Sequence, residues 1–369
     1  MAGKELFSEG QDMMRICNSC RYCEGFCAVW RAMEFRREFP ECDLNYLSNL
    51  CHDCSECYYA CQYAPPHEWA INAPLTFAKI RCRSYEQYAW PKAIASAFRA
   101  NGLVVSLVSV FAFTAFLFGV VYVRGNNALT AKVSSGNFYQ IISHETMIVS
   151  FGLACLFSVL ALGIGFVRCC HDIGERMIDL FTPSVLITTL KEVLRLEHLS
   201  GGGWGCAYPW EESSQLRRWF HHTTFYGFLS CFTATIIGFV YHYLFGWHAP
   251  HAITSLPVVF GSLGGIGLIV GPAGLIALNF QRNRDITDDN QCGINTAFNV
   301  LLLLTSITGL LLLIFRGTSA MAILLMIHLG VVMALLLTLP YGKFVHGMYR
   351  FGAIAKYTLE RKQKQVLGV

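Results

Sequence analysis

The chain has 369 residues, 54% of them hydrophobic and only 14% charged, with a formal net charge of +4. So small a charge excludes a nucleic-acid-binding surface, and so apolar a chain excludes an ordinary soluble or disordered protein. Composition divides near residue 100: residues 1–100 carry eleven Lys/Arg against twelve Asp/Glu, and beyond them long uncharged runs dominate.

Residues 1–10 lack the apolar core of a signal peptide, so the N-terminal domain is expected to stay in the cytoplasm. In that reducing compartment the sixteen cysteines read as metal ligands or buried thiols, not disulfides. Two runs stand out. Cys17-x2-Cys20-x2-Cys23-x3-Cys27 and Cys51-x2-Cys54-x2-Cys57-x3-Cys61 each have the ligand spacing of a bacterial-type ferredoxin. Three thiolates two residues apart wrap one face of a cubane, and the fourth, on the following helical turn, reaches the neighbouring cluster. The spacing therefore predicts two [4Fe–4S] clusters, one on Cys17, Cys20, Cys23 and Cys61, the other on Cys51, Cys54, Cys57 and Cys27. Ala28 and Gln62 replace the proline that usually follows the fourth cysteine, a departure from small soluble ferredoxins that leaves the ligand set intact. Structural zinc competes, but needs no x3 step after two x2 steps. Cys42, Cys82, Cys155, Cys169, Cys170, Cys206, Cys231 and Cys292 show no cluster spacing and read as small buried hydrophobes. Cys169-Cys170-His171, at an inner membrane edge, is the one suggestive group among them.

About 20 apolar residues cross a hydrocarbon core of about 30 Å. Six stretches qualify: residues 103–123, 146–167, 223–246, 252–280, 297–315 and 318–342. The fourth is rich in glycine (Gly261, Gly264, Gly265, Gly267, Gly271, Gly274), which permits close helix approach in a bilayer. With the N-terminus inside, the inner segments after residue 100 hold 14 Lys/Arg and the outer loops three: Arg124, Lys132 and Arg316. This asymmetry places both termini of a multi-pass membrane protein in the cytoplasm. The expected architecture is all-α: a two-cluster ferredoxin-type helical domain over residues 1–100, a six-helix transmembrane haem-binding bundle over 101–350, and a basic cytoplasmic tail over 351–369.

Ionisable side chains in spans are costly and usually functional. The third span carries His221 and His222 at one end and His242 at the other; the sixth has His328 and then His346. The separations of 20 and 18 residues correspond to about 30 and 27 Å along a helix. Because the helices run in opposite directions, His222 comes level with His346 on the cytoplasmic side, and His242 level with His328 on the outer side. Two levels of paired imidazoles is what one or two bis-histidine b haems need. His144 and His171 are rival ligands. His221 competes with His222, since adjacent residues point about 100° apart on a helix.

The stretch MIHLGVVMALLLTLPYGKFVH (residues 326–346) resembles the last helix of the cytochrome b subunit of respiratory nitrate reductase, whose two ends carry haem ligands. Over essentially its whole length the chain is similar to the tricarballylate/citrate utilisation protein B family. The residues that carry this are the two cysteine runs, CQYAPPHEWAINAP (61–74) and GGGWGCAYPWEESSQLRRWFHHTTFYGF (201–228). The resemblance implies an electron carrier that reoxidises a partner FAD-dependent tricarballylate dehydrogenase-like flavoprotein and passes its electrons through clusters and haem b to membrane quinone. Tyr341, Lys343 and Arg350 inside, and His144 and Glu145 outside, are donors within reach of a quinone. The loop 201–222 reads either as a floor for the ferredoxin domain or as a plain connector. Two other classes compete: a redox-linked transporter, which would need more polar residues in the spans, and a non-redox scaffold with structural metal.

Overall fold

A computed structural model describes residues 2–124, 137–199 and 205–367. Lys132, counted above among the outer charges, and residues 201–204 of the glycine-rich loop lie outside the described residues. The expected all-α class holds: among the described residues there are fourteen α-helices, and the one sheet is a short antiparallel pair, Cys206–Ala207 with Ser213–Ser214.

Five helices build the cysteine-rich domain: α1 (Ala2–Cys20), α2 (Ala28–Met33), α3 (Glu41–Leu50), α4 (Glu56–Tyr59) and α5 (Ala73–Tyr88). α3 opens with Glu41 and Asp43 in its first turn, where carboxylates complement the helix dipole, and buries Leu44, Leu47 and Leu50 on one stripe. α5 starts where the Asn72 side chain accepts the Leu75 N–H at 3.2 Å, with Pro74 in the first turn. Met14, Trp30, Leu44 and Phe77 share one core with Tyr349 and Tyr357 of the C-terminal helix α14 (Val345–Leu367). Arg36 holds Glu360 of α14 at 2.5 Å, and Asn45 donates to Asp172 at 2.9 Å. The domain is thus seated on α14 and on the C-terminal end of α7 (His144–Asp172).

Six described helices are long and apolar enough to cross a membrane: α6 (Lys92–Arg124), α7, α10 (Leu216–Leu244), α11 (Leu256–Gln281), α12 (Asp289–Phe315) and α13 (Met321–Thr338). Two short helices, α8 (Met177–Leu180) and α9 (Pro183–Arg195), fill the connection between α7 and α10. Asn101 breaks α6 with φ −161° and ψ 84°, and its side chain then caps the continuing helix at Val104 N–H, 3.1 Å away. α13 is the most enclosed of the six, with Met321, Ala322, Met326 and Ala334 fully buried. The glycines of α11 let α10 approach closely: a Cβ added at Gly264 would lie 2.7 Å from the Gly227 carbonyl oxygen.

One expectation fails. The sixth span does not run straight from His328 to His346, because α13 ends at Thr338 and α14 begins at Val345. Pro340 accounts for this, since proline lacks the N–H that the next helical turn needs. His346 therefore stands at the start of a separate helix that turns toward the cysteine-rich domain.

Candidate metal centres

Both cysteine runs fold as tight turns in which ordinary residues take left-handed backbone: Arg21 (φ 55°) in the first, Asp53 (φ 59°) and Ser55 (φ 66°) in the second. Such conformations cost free energy and persist where surrounding structure fixes them. Their effect is to converge the thiols. Cys17, Cys20, Cys23 and Cys61 line one cavity. Cys27, Cys51, Cys54 and Cys57 line a second. The last cysteine of each run thus crosses to the other set.

Burial pushes the Cys17 thiol up to about 12, with Cys23, Cys61 and Cys20 adding to the rise. Cys27 is likewise raised to about 12, by burial and then by Cys51. Four crowded thiols resist ionising unless a cation sits among them, and bound iron would supply that cation. Both donor sets are all sulfur, the soft environment that iron–sulfur clusters take. Among the described residues no three His, Cys, Asp or Glu side chains are placed to grip a single ion. Each set lines a cavity, and four thiolates around it would be able to hold an iron–sulfur cluster.

The two sets differ in depth. Arg21, Tyr22 and Gln62 at the first are exposed, whereas Asp53, Cys54 and Ser55 at the second are buried. The second is also surrounded by basic side chains. Arg282, from the turn between α11 and α12, clamps the Asp53 carboxylate with two hydrogen bonds of 2.8 Å, and Gln291 donates to it at 3.0 Å. Arg217 of α10 donates to the Asp53 carbonyl at 2.7 Å, and Arg350 of α14 donates to the Cys51 carbonyl at 2.8 Å.

Burial alone would raise the Asp53 carboxyl, but Arg282 first, then Arg81 and Arg217, hold it well below the usual carboxylate range. The pair's contribution to stability is therefore complete above the unfolded-state value of about 4, and is lost only as pH falls through the depressed folded value. Asp53→Ala leaves Arg282 buried without its partner. A loss of roughly 3–5 kcal/mol is expected, read as a lowered thermal-unfolding midpoint of the detergent-purified protein.

Each of the two helices that holds the Cys51–Asp53 turn also carries a histidine four residues from its arginine. Arg217 precedes His221 on α10, and His346 precedes Arg350 on α14. Residues four apart share a helix face. The His221 and His346 rings face each other with centroids 6.0 Å apart and planes at 78°. Two imidazoles this close would together be able to hold a haem iron. His346 Nδ1 is hydrogen-bonded to the Lys343 carbonyl oxygen, which fixes its tautomer and leaves Nε2 free to ligate. Burial, followed by Lys343 and Arg350, holds His346 neutral, the form that binds iron. His221 Nδ1 is buried without a hydrogen-bond partner, an orphaned atom of the kind an absent ligand explains.

The structure does not bring the other predicted ligands into such pairs. His222 lies beside Tyr226 and against the backbone of Leu194 and Arg195. His328 is hydrogen-bonded to Thr308 of α12 at 3.0 Å. His242 stacks on His144, with centroids 3.9 Å apart and planes at 14°, and its Nδ1 is 3.1 Å from His248 Nδ1. His171 is exposed while Cys169 and Cys170 are buried, so the three do not converge. Of the inner donors considered for a quinone, Tyr341 donates to the Trp90 carbonyl at 3.0 Å and Arg350 is committed to Asn49 and Cys51.

Sequence reasoning missed Arg81, Arg217 and Arg282 and read Arg350 only as a quinone donor; it also missed His198, which lines the second cavity and pairs with Glu192 at 3.0 Å. The four-residue spacing of Arg217 with His221, and of His346 with Arg350, is a signal that could have found two of the arginines and favoured His221.

The family model for citrate utilization protein B matches residues 97–366, and that for the citrate utilization protein B Fer4-like domain matches residues 10–87. The "Citrate utilization protein B" of Escherichia coli is 46% identical over 366 residues, covering 98% of this chain and 94% of that protein. No solved structure matches. With a Fer4-like domain carrying two converged cysteine sets, and six apolar helices behind it, the chain belongs to the citrate utilization protein B family.

Proposed function

We propose that the protein is a membrane electron carrier that reoxidises a soluble FAD-dependent dehydrogenase of the tricarballylate type and delivers its electrons to the quinone pool. Bound at the two cysteine sets and at the His221–His346 pair, two [4Fe–4S] clusters and haem b supply one-electron carriers between reduced flavin and quinone. The observation that carries this reading is the double bridge from the Cys51–Asp53 turn: two helices each bind that turn through an arginine and present a histidine four residues away.

The chain's own residues divide the work. Cys17, Cys20, Cys23 and Cys61 are half-buried beneath a rim of exposed Arg21, Tyr22, Glu24 and Gln62, where a soluble partner has access. Cys27, Cys51, Cys54 and Cys57 lie deeper, over the inner ends of the spans. Arg217 and Arg350 fix the distance from that second set to the histidine pair. The Lys/Arg asymmetry supports an N-terminal domain and C-terminal helix facing the cytoplasm at the bacterial inner membrane.

Inside-out and right-side-out membrane vesicles test both route and sidedness. Adding the flavoprotein and its organic acid is expected to reduce the haem absorption band in inside-out vesicles only, with reoxidation on adding quinone. Reduction in neither preparation, or only in right-side-out vesicles, would contradict the reading.

A further inference from the structure

Two cysteine sets a short distance apart could be equivalent, but their surroundings are not. Around the second, Arg81 donates to the Ser48 carbonyl at 2.8 Å, Arg217 to Asp53, and Arg350 to Asn49 at 3.2 Å and Cys51 at 2.8 Å. Arg282 lies in the same group, neutralised by Asp53. Glu56, which also lines the second cavity, accepts from Ser213 at the exposed rim. Three arginines thus remain as positive charge directed at backbone carbonyls within residues 48–53. At the first set the lining cation is Arg21, which is exposed, turns back to the Asn18 carbonyl at 3.1 Å, and shares the rim with the exposed carboxylate Glu24.

A cluster with four thiolates is an anion and gains further negative charge on reduction. Buried cations lower the cost of that added charge; exposed ones are screened by water. Net charge, hydrogen bonding and solvent exposure are the levers that set cluster potentials. We infer that the second cysteine set is the high-potential, exit-side member of the pair, and that Arg217 and Arg350 are positioning residues that both raise its potential and tie it to His221 and His346. This rests on the electron-carrier reading above. It adds an order: electrons enter at the Cys17–Cys61 set, whose rim is exposed, and the fall in energy toward the membrane is built in part from Arg217 and Arg350.

Anaerobic redox titration of the whole detergent-purified protein, followed by electron paramagnetic resonance, tests it. Cys20→Ser first assigns the signal of the first set. In the wild type the second set is expected to reduce at the higher potential. Arg350→Gln should weaken the second set's electron affinity about tenfold, which is about 59 mV for a one-electron couple, and leave the first unmoved. Arg350→Lys, which keeps the charge, should recover most of that shift, and Arg217→Gln should act in the same direction as Arg350→Gln. Equal shifts in the Gln and Lys variants, an unmoved second midpoint, or a higher potential at the first set would overturn the inference. Loss of the second cluster in both Arg350→Gln and Arg217→Gln would make the arginines a structural clamp, and would overturn it as well. Absence of haem from the wild type would instead sink the electron route while leaving the potential order standing, so the two failures are told apart.

Discussion

Cys61→Ala is expected to abolish the cluster of the first cysteine run while sparing that of the second, although Cys61 closes the second run in sequence. The reason is geometric. Cys61 lines the cavity of Cys17, Cys20 and Cys23, and Cys27 lines the cavity of Cys51, Cys54 and Cys57. Without its fourth thiolate, a surface cluster is open to water and oxidant, so the expected effect is complete loss of one of two paramagnetic signals and about half of the acid-labile sulfide. Cys27→Ala should give the mirror result. If Cys61→Ala instead destroyed the cluster of Cys51, Cys54 and Cys57 and kept the other, each run would bind its own cluster and the crossing would be wrong.

This crossing was legible in the sequence because ligand spacing is a local constraint: three thiols two residues apart can only wrap one face, so a fourth three residues on must reach elsewhere. The six apolar helices were legible for a similar reason, since hydrocarbon thickness fixes their length whatever packs against them. What escaped was set by contacts far apart in sequence. The Asp53–Arg282 clamp joins residues 229 positions apart, and Arg350 reaches Cys51 across 299. Nothing in a single sequence marks Arg282 as the partner of one aspartate among many carboxylates. Pro340 was visible, yet the apolar run on either side of it was read as one span; the turn it causes moves His346 off the membrane helix and onto α14. The choice between His221 and His222 depends on the rotation of α10 about its axis, a matter of its packing on α11, where Gly227, Gly264 and Gly271 allow close approach.

The second large effect concerns those histidines. His221→Ala and His346→Ala are each expected to remove the haem proposed at this pair, because each takes away one of the two imidazoles that would hold it. His222→Ala should retain it, since His222 lies toward Tyr226 and the α9 backbone. The clusters should survive all three changes, as no cysteine of either set is altered. Haem that persists in both His221→Ala and His346→Ala would report a second site, for which His242 and His328 remain the proposed ligands and His144, stacked on His242, the competitor.

Haem per chain, counted by pyridine haemochrome on purified wild type, His221→Ala, His346→Ala and His222→Ala, tests the account most directly. The account predicts haem in the wild type, its loss from the cytoplasmic site in the first two variants, and full content in the third. A wild type without haem, or a His222→Ala protein that loses haem while His221→Ala keeps it, would contradict it.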